Sequence, residues 1–206
     1  MLPKLLAHGG VMLWLIMLVS AVAIAVVIER LLHYHRAQIN STEFLIGVKN
    51  VLKRDNVVEA LSICDATPGP VARLVKAAIL ARDRGREGVR EALEEAGLME
   101  VPRLEQKLNL LATIAQISPL MGLLGTVMGF IRIYGVMEDQ GQYAHGGMLS
   151  AGIWQSLICT AAGLAVAIVA YAMYNYLVSR VNSIVLDMEK TSTEVLNLVT
   201  DPNSRH

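Results

Sequence analysis

Charged side chains are absent from three long stretches of this 206-residue sequence. Residues 11–28, 108–131 and 140–179 contain no Asp, Glu, Lys or Arg, and 54% of the whole chain is hydrophobic. The mean hydropathy of +0.47 is too high for an ordinary soluble domain. A helix that spans a bilayer needs about 20 mainly apolar residues. The sequence therefore predicts an all-α membrane protein with three transmembrane helices.

Residues that build disulfides, metal sites and nucleic-acid surfaces are also scarce. The two cysteines, Cys64 and Cys159, fall in a charged region and in an apolar run, so no disulfide is expected between them. The five histidines are scattered without metal-ligand spacing. Lys and Arg balance Asp and Glu at 18 each, and no basic patch with interleaved aromatics suggests nucleic acid. We therefore expect no metal, no cofactor and no nucleic acid partner.

The first apolar run, residues 11–28, could also be the core of a signal peptide. Two features oppose that interpretation. Only Lys4 precedes the run, and the segment IERLLHYHR follows it without a small-residue cleavage site. The run is therefore predicted to be the first transmembrane helix.

The basic residues predict the orientation of the chain. Only Lys4 precedes the first run, most of the Lys and Arg lie between residues 29 and 107, and the loop after the second run carries Glu138 and Asp139. Lys and Arg favour the cytoplasmic side of a membrane. We therefore expect a periplasmic N-terminus at residues 1–10, transmembrane helices at 11–28, 108–136 and 150–179, a cytoplasmic helical region at 29–107, a periplasmic loop at 137–149, and a cytoplasmic helix and tail at 180–206.

Apolar residues at helical spacing run through the predicted cytoplasmic region. The segment TPGP at residues 67–70 should interrupt them, and Gly97 should end a helix. A new helix should begin at Pro102 and continue without a break into the second transmembrane helix. The apolar stripe from Val181 to Leu196 should extend the third helix in the same way. Helices 2 and 3 should thus extend into a cytoplasmic helical bundle.

Small residues mark one helical face in each of the last two apolar runs. They are Ser118, Gly122, Gly125, Thr126 and Gly129 in the second run, and Ser156, Thr160, Gly163 and Ala167 in the third. Small residues let membrane helices approach closely, and Gly125 and Gly129 form a GxxxG pattern. These faces can serve simple helix packing or a polar lining, and the pattern leaves both open.

Two hydroxyls are expected at the same depth. Thr126 lies ten residues before Val136, and Thr160 lies ten residues after Ser150. At the rise of an α-helix, both should lie roughly 10–15 Å below the outer surface, near the midplane. Moving protons normally needs a titratable group at that depth. Because the apolar runs contain no charged residue, the chain either moves nothing or receives a carboxylate from another chain.

Two segments carry a family resemblance. PLMGLLGTVMGFI at residues 119–131 and SLICTAAGLAVAIV at residues 156–169 resemble the MotA/TolQ/ExbB proton-channel family, in its ExbB/TolQ branch. The likeness covers nearly the whole chain, although Val169 stands where the family usually has proline and Ser156 where it has alanine. The resemblance implies a homopentamer whose second and third helices line a central pore. It also implies an ExbD/TolR-like partner whose transmembrane helices occupy the pore and carry an essential aspartate.

The resemblance also assigns roles to single residues. The family's pore threonines fall on Thr126 and Thr160. Three further residues are expected to line the same proton pathway: Ser118, Gly122 and Ser156. Three glycines are expected to pack the helices: Gly125, Gly129 and Gly163.

The expected function is that of the pore-forming subunit of an inner-membrane motor driven by the proton motive force. With its partner it would conduct protons and energise outer-membrane transport or maintenance, with a TonB/TolA-like protein as a further partner. Two alternatives stay open. A non-conducting membrane scaffold would need the same small residues, and a flagellar-type stator subunit belongs to the same family but usually has four spans. An enzyme is the least favoured interpretation, because no nucleophile–base pair is recognisable.

Reporter fusions test the expected orientation. Fusions after His206 and within residues 49–90 should report the cytoplasm, and a fusion within residues 140–147 should report the periplasm, because Lys and Arg near the spans stay on the cytoplasmic side. Paired alkaline phosphatase and fluorescent protein reporters measure this. High phosphatase activity after His206 would contradict the orientation.

Overall fold

The computed structural model of the protein describes residues 10–37, 41–54, 56–140 and 146–200. Within these ranges the regular structure is helical: α1 (Gly10–Ala37), α2 (Ser41–Leu52), α3 (Val57–Ala66), α4 (Pro70–Leu80), a short 3₁₀-helix (Arg82–Arg84), α5 (Gly85–Glu105), α6 (Leu108–Gln140) and α7 (Gly146–Thr200). Three helices are long and apolar enough to cross a membrane. The prediction of an all-α membrane protein with three spans is therefore confirmed.

The chain divides into two units, and the first consists of Met1–Glu29 and Lys107–Tyr176. Its described part contains most of α1, all of α6 and the first part of α7. Large apolar side chains such as Trp14, Leu18 and Ile24 are exposed along α1. Lipid tails are as apolar as these side chains, so such exposure fits a helix that faces lipid. At the other end of the unit, Lys107 Nζ donates to Glu29 Oε2 at 2.6 Å.

The second unit consists of Arg30–Gln106 and Leu177–His206. In it α4 contacts α5 and α3, and α3 contacts α2. The apolar stripe of α4 is buried at Val71, Leu74, Val75, Ala78 and Ile79. Full burial of each large apolar side chain stabilises the unit by about 1.5–3 kcal/mol. Packing against the buried face of α4 thus stabilises the arrangement of α3 and α5 in this unit.

The predicted interruption at residues 67–70 is confirmed, because α3 ends at Ala66 and α4 begins at Pro70. Gly69 has φ +131°, a backbone conformation that other residues rarely adopt. A Cβ at Gly69 would also lie 2.9 Å from the carbonyl oxygen of Ala37. Pro70 occupies the first helical position, where the missing N–H has no intrahelical partner to lose.

The predicted stop at Gly97 and restart at Pro102 are wrong. The helix α5 runs from Gly85 to Glu105 through both residues. Its buried residues Val89, Leu93 and Leu104 recur at helical spacing on one face. Burial of this stripe outweighs the cost of about 1 kcal/mol for a glycine and about 3 kcal/mol for a proline inside a helix.

The predicted continuous helix into the second span is also wrong, because α5 ends at Glu105 and α6 begins at Leu108. Lys107 between them has φ +66°, which costs a residue with a side chain about 1–2 kcal/mol. Side chains of α1 donate hydrogen bonds to carbonyl groups in the last turn of α5. Tyr34 Oη donates to Leu104 O at 2.7 Å, and Arg30 Nη1 donates to Arg103 O at 3.5 Å. Burial raises the pKa of Tyr34 against the opposing effect of Arg30, so the phenol keeps its proton and stays a donor.

The third apolar helix does extend past its span. The helix α7 continues without a break for 55 residues, from Gly146 to Thr200. Its residues Val181, Ile184, Met188 and Val195 are buried, which accounts for the apolar stripe in this part of the sequence. The assignment of this extension to the cytoplasm stays a prediction.

Glu100 on α5 is a buried carboxylate. Its Oε2 accepts from Arg73 Nη2 on α4 at 2.6 Å, and its Oε1 accepts from Arg103 Nη1 at 2.8 Å. Both arginines are more than half exposed, so they keep much of their hydration while they neutralise the buried charge. This ion-pair cluster ties α4 to α5.

Replacing Glu100 with alanine should lower the free energy of unfolding by about 1–3 kcal/mol, because two charge-assisted hydrogen bonds are lost, one between α4 and α5 and one within α5. Glu94→Ala on the same helix is the control. Its partner Arg90 and Glu94 itself have side chains 63% and 65% exposed, so this pair contributes about 0–1 kcal/mol. Thermal unfolding of the detergent-purified protein measures both. Equal losses of stability would show that the Glu100 cluster does not stabilise the unit.

A candidate hydroxyl site between the second and third apolar helices

The helices α6 and α7 approach each other to backbone distance at two glycines. A Cβ placed on Gly163 would lie 2.6 Å from the carbonyl oxygen of Ser118 and 2.9 Å from the Cα of Gly122. A Cβ on Gly122 would lie 3.1 Å from the carbonyl oxygen of Cys159 and 3.1 Å from the Cα of Thr160. The neighbouring atoms belong to the backbone, so they cannot move aside as a flexible side chain would. A side chain at Gly163 would therefore force the two helices apart, and one at Gly122 would need them to move by a few tenths of an ångström.

Two further glycines continue this contact along α6. A Cβ on Gly125 would lie 2.7 Å from the Cβ of Cys159 and 3.2 Å from the Cγ of Met12 on α1. A Cβ on Gly129 would collide with Ser156 Oγ. The small face recognised in the sequence thus lies in a tight contact, and the GxxxG pair meets α7 at both of its glycines.

The two threonines meet at this contact. Thr126 Oγ1 and Thr160 Oγ1 are within hydrogen-bonding contact of each other. The carbonyl oxygen of Gly122 lies 3.2 Å from each hydroxyl. The carbonyl oxygen of Ser156 lies 3.5 Å from Thr126 Oγ1 and 3.4 Å from Thr160 Oγ1. Two hydroxyls and two backbone carbonyls, one of each from either helix, therefore form one cluster of four oxygens.

The two hydroxyls of this cluster can exchange their hydrogen-bond partners. Each hydroxyl has one proton to donate and two lone pairs that can accept. Each threonine can donate to the carbonyl four residues earlier in its own helix, as buried threonines commonly do, or to the carbonyl of the other helix. Both side chains are only half-buried, so a further group can reach them. Rotation of a hydroxyl would then redirect its proton to that group without breaking the helix.

The two serines assigned to the pathway lie deeper. Ser118 and Ser156 are each 1% exposed. Ser118 Oγ donates to Ile114 O at 2.6 Å, and Ser156 Oγ donates to Gly152 O at 2.9 Å. Both hydroxyls are thus satisfied within their own helices. Their role in a proton pathway stays a prediction, as does that of Gly122, which lies in the helix contact.

Sequence reasoning missed part of this contact. Gly152 packs against Ile133, because a Cβ at Gly152 would collide with Ile133 Cγ1. Gly152 precedes Ser156 by four residues, so extending the small face of the third run by one turn would have found it. Cys159 and Met12 close the contact around Gly125. Cys159 is as small as the threonines and lies three residues after Ser156, so the same reading could have included it, whereas a search for small residues could not find Met12.

Comparison with known proteins relates the chain to one family. Residues 66–190 match the MotA/TolQ/ExbB proton channel family, and this range includes both threonines and both carbonyls of the oxygen cluster. A protein named as a biopolymer transport protein ExbB homologue in Methanothermobacter thermautotrophicus is 28% identical over 181 residues, which are 87% of this chain and 63% of that protein. ExbB-like 1 of Synechocystis is 33% identical over 183 residues, 86% of this chain and 72% of that protein.

A shorter match is to a TolQ protein. The Tol-Pal system protein TolQ of Haemophilus influenzae is 40% identical over 101 residues, which are 49% of this chain and 44% of that protein. The first relative named above is longer than this chain, which spans 63% of its length. The similarities and the three apolar helices together identify a multi-pass protein of the inner membrane.

Gly163→Ala should separate α6 from α7, because the new methyl group would overlap backbone atoms of Ser118 and Gly122. We expect a loss of about 1–3 kcal/mol in the free energy of unfolding, as for other overpacked contacts. Gly135→Ala is the matched control, because a Cβ at Gly135 has no neighbour within 4 Å. Alanine there should leave stability unchanged or raise it by up to about 1 kcal/mol. Thermal unfolding in detergent measures both, and a fully stable Gly163→Ala variant would disprove the tight contact.

Proposed function

Because the chain belongs to the MotA/TolQ/ExbB proton channel family, we propose that it is the pore-forming subunit of an inner-membrane motor of the ExbB/TolQ type. It conducts protons together with an ExbD/TolR-like partner and so energises transport across, or maintenance of, the outer membrane. The observation that carries the proposal is the Thr126–Thr160 hydroxyl pair. It lies between two helices whose apolar runs contain no charged residue.

The absence of charged side chains from the second and third apolar runs supports a second protein chain as partner. Residues 108–131 and 140–179 contain no Asp, Glu, Lys or Arg. They therefore supply no strongly acidic or basic side chain that could bind and release a proton. A transmembrane aspartate on a second chain would supply one at the depth of the threonines. Each proton that crosses 100 mV releases about 2.3 kcal/mol. That energy can bias a rotation or a gating step, which is what a motor of this kind requires.

The hydroxyl pair is suited to both protonation states of such a carboxyl. To a carboxylate, either threonine can donate its proton, which favours the charged form and lowers the carboxyl pKa. From a neutral carboxylic acid, the same oxygens can accept a hydrogen bond through their lone pairs. When neither hydroxyl donates to the carboxyl group, Thr126 donates to the Gly122 carbonyl and Thr160 donates to the Ser156 carbonyl. Each hydroxyl therefore keeps a hydrogen-bond acceptor in both protonation states of the carboxyl group.

The chain should assemble as a homopentamer with helices α6 and α7 around the pore and α1 outside, facing lipid. Large apolar side chains on the two inner helices are exposed in the single chain: Leu120, Leu124, Ile131, Leu157, Leu164 and Ile168. These exposed side chains are available for contacts with neighbouring copies and with the partner's helices. Native mass spectrometry in mild detergent tests the assembly, and a stable monomer would rule out the proposed pore.

A non-conducting scaffold is the second candidate. The observation that favours it is the glycine contact, which by itself explains why the small residues are needed. A proton-flux assay on vesicles that contain the co-expressed pair separates the two functions. Partner-dependent flux under an imposed potential supports the channel, and the absence of flux from an intact complex supports the scaffold. A flagellar-type stator subunit has less support, because the part of the chain that the structure describes holds three helices long and apolar enough to cross a membrane, whereas that type usually has four.

Replacing Thr126 or Thr160 with valine should reduce proton-driven flux while the complex still assembles. Valine keeps the branched shape and removes the oxygen. An interhelical hydrogen bond in a membrane contributes only about 0.6 kcal/mol, so assembly should survive. A hydrogen bond to a carboxylate contributes about 1.5–3 kcal/mol, which corresponds to a shift of about tenfold or more in the proton equilibrium. Flux per intact complex should therefore fall by about tenfold.

Thr113→Val is the matched control on the same helix, because Thr113 is exposed and Thr113 Oγ1 donates only to Asn109 O, at 2.8 Å. Ser20→Ala on α1 is a second control, and both should conduct normally. Complex amount is measured beside flux for every variant. If both threonine variants assemble and conduct like the parent, the two hydroxyls serve packing alone and the scaffold gains support.

A further inference from the structure

A groove of about 620 Å³ lies between α2 and the last turns of α7, within the second unit. Its apolar surface comes from Leu45 and Ile46 on α2 and from Val195 and Leu198 on α7. Ile46 is 55% exposed, although it lies in the more polar unit of the chain. An apolar surface that the chain leaves open in this way marks a contact with another protein segment.

Positive charge lies along the α2 side of this groove. Lys49 and Lys53 line it one turn apart, and both are exposed. The amide of Lys53 donates to the carbonyl of Lys49 at 3.0 Å, so Lys53 continues the helical register of α2. Neither lysine has an ion-pair partner among the described residues. Glu194 lies on the α7 side of the groove. The α2 side therefore suits an acidic segment that also carries apolar side chains.

The chain itself contains such a segment on the outer face of α5. Glu91, Glu95, Leu98 and Met99 follow one another at helical spacing, and all four are exposed. Leu98 is 77% exposed and Met99 is 60% exposed, whereas the opposite face of α5 is buried in the unit. The fold of one chain therefore leaves these apolar side chains uncovered.

The two surfaces match in spacing as well as in charge. Read backwards along α2, the order is Lys53, Lys49, Ile46 and Leu45, with steps of four, three and one residues. Read forwards along α5, the order is Glu91, Glu95, Leu98 and Met99, with the same steps. Two antiparallel α-helices with equal rise would thus place each glutamate beside a lysine and each exposed apolar residue of α5 beside an apolar residue of α2.

We propose that the α5 face of one copy, formed by Glu91, Glu95, Leu98 and Met99, docks antiparallel onto the α2–α7 groove of a neighbouring copy. The contact joins two different surfaces, so every copy offers one groove and one face. Such head-to-tail contacts close into rings when the rotation between copies allows it. The inference rests on the proposed homo-oligomer and assigns one of its contacts. The apolar residues supply most of the affinity, and the ion pairs fix the register.

Disulfide cross-linking in native membranes tests the contact. In the full chain with Cys64→Ala and Cys159→Ala, the pair Ile46→Cys and Leu98→Cys should form a ladder of linked copies on oxidation. The control pair is Ile46→Cys with Val58→Cys, because Val58 is an exposed apolar residue on α3 that the proposed contact does not use. The control should stay at the size of one chain. Monomers only from the Ile46–Leu98 pair, with the oligomer intact by native mass spectrometry, would overturn the inference and leave the proposed function standing.

Charge exchange tests the register independently. Lys49→Glu with Lys53→Glu should reduce the oligomer fraction, most strongly at low salt, and Glu91→Lys with Glu95→Lys should do the same. All four changes together should restore the oligomer, because the opposite charges again face each other. Failure of restoration would overturn the antiparallel register. An intact oligomer that loses only its co-purified partner would also overturn the inference, because the groove would then belong to that partner.

Discussion

The contact between the backbones of α6 and α7 at Gly122 and Gly163 is the constraint on which the packing of these two helices and the hydroxyl cluster between them depends. Lipid offers no hydrophobic gain for bringing two helices together, so the contact has to be made by close packing and hydrogen bonds. A single Cβ at Gly163 would overlap the Ser118 carbonyl. Because no side chain keeps the helices apart, the hydroxyls of Thr126 and Thr160 and two backbone carbonyls come within hydrogen-bonding distance.

The hydroxyl cluster reconciles two opposing requirements of a membrane interior. A buried polar group needs a partner at all times, because an unpaired one is costly. A group that handles protons must also be free to exchange that partner. In the proposed channel Thr126 and Thr160 would meet both demands, since their hydroxyls donate to helix carbonyls and their side chains are only half-buried. Ser118 and Ser156 meet only the first demand, because both are buried and bonded within their own helices.

The second unit follows the rules of a soluble domain. Its centre is the buried stripe of α4, and Glu100 binds α5 to α4 through Arg73, while Arg103 of α5 pairs with the same carboxylate. Once these contacts are made, the outer face of α5 and the groove beside α2 remain uncovered. Their matching order of charged and apolar residues assigns them to a contact between copies. Membrane packing and soluble packing would thus contribute to one assembly by different forces.

The three apolar helices, the small faces and the interruption at Gly69 and Pro70 follow from the amino-acid sequence without any tertiary contact. Each depends on local chemistry: a bilayer forces backbone groups to pair within the helix, glycine permits close approach, and a glycine–proline pair restricts the backbone. Two other features depend on tertiary contacts: α5 continues through Gly97 and Pro102, and the helix is interrupted between Glu105 and Leu108. The tertiary structure also brings Met12 and Cys159 to Gly125. These outcomes depend on residues distant in sequence, such as Tyr34 at the Leu104 carbonyl, because contacts between segments can outweigh local preferences that amount to only about 1–3 kcal/mol.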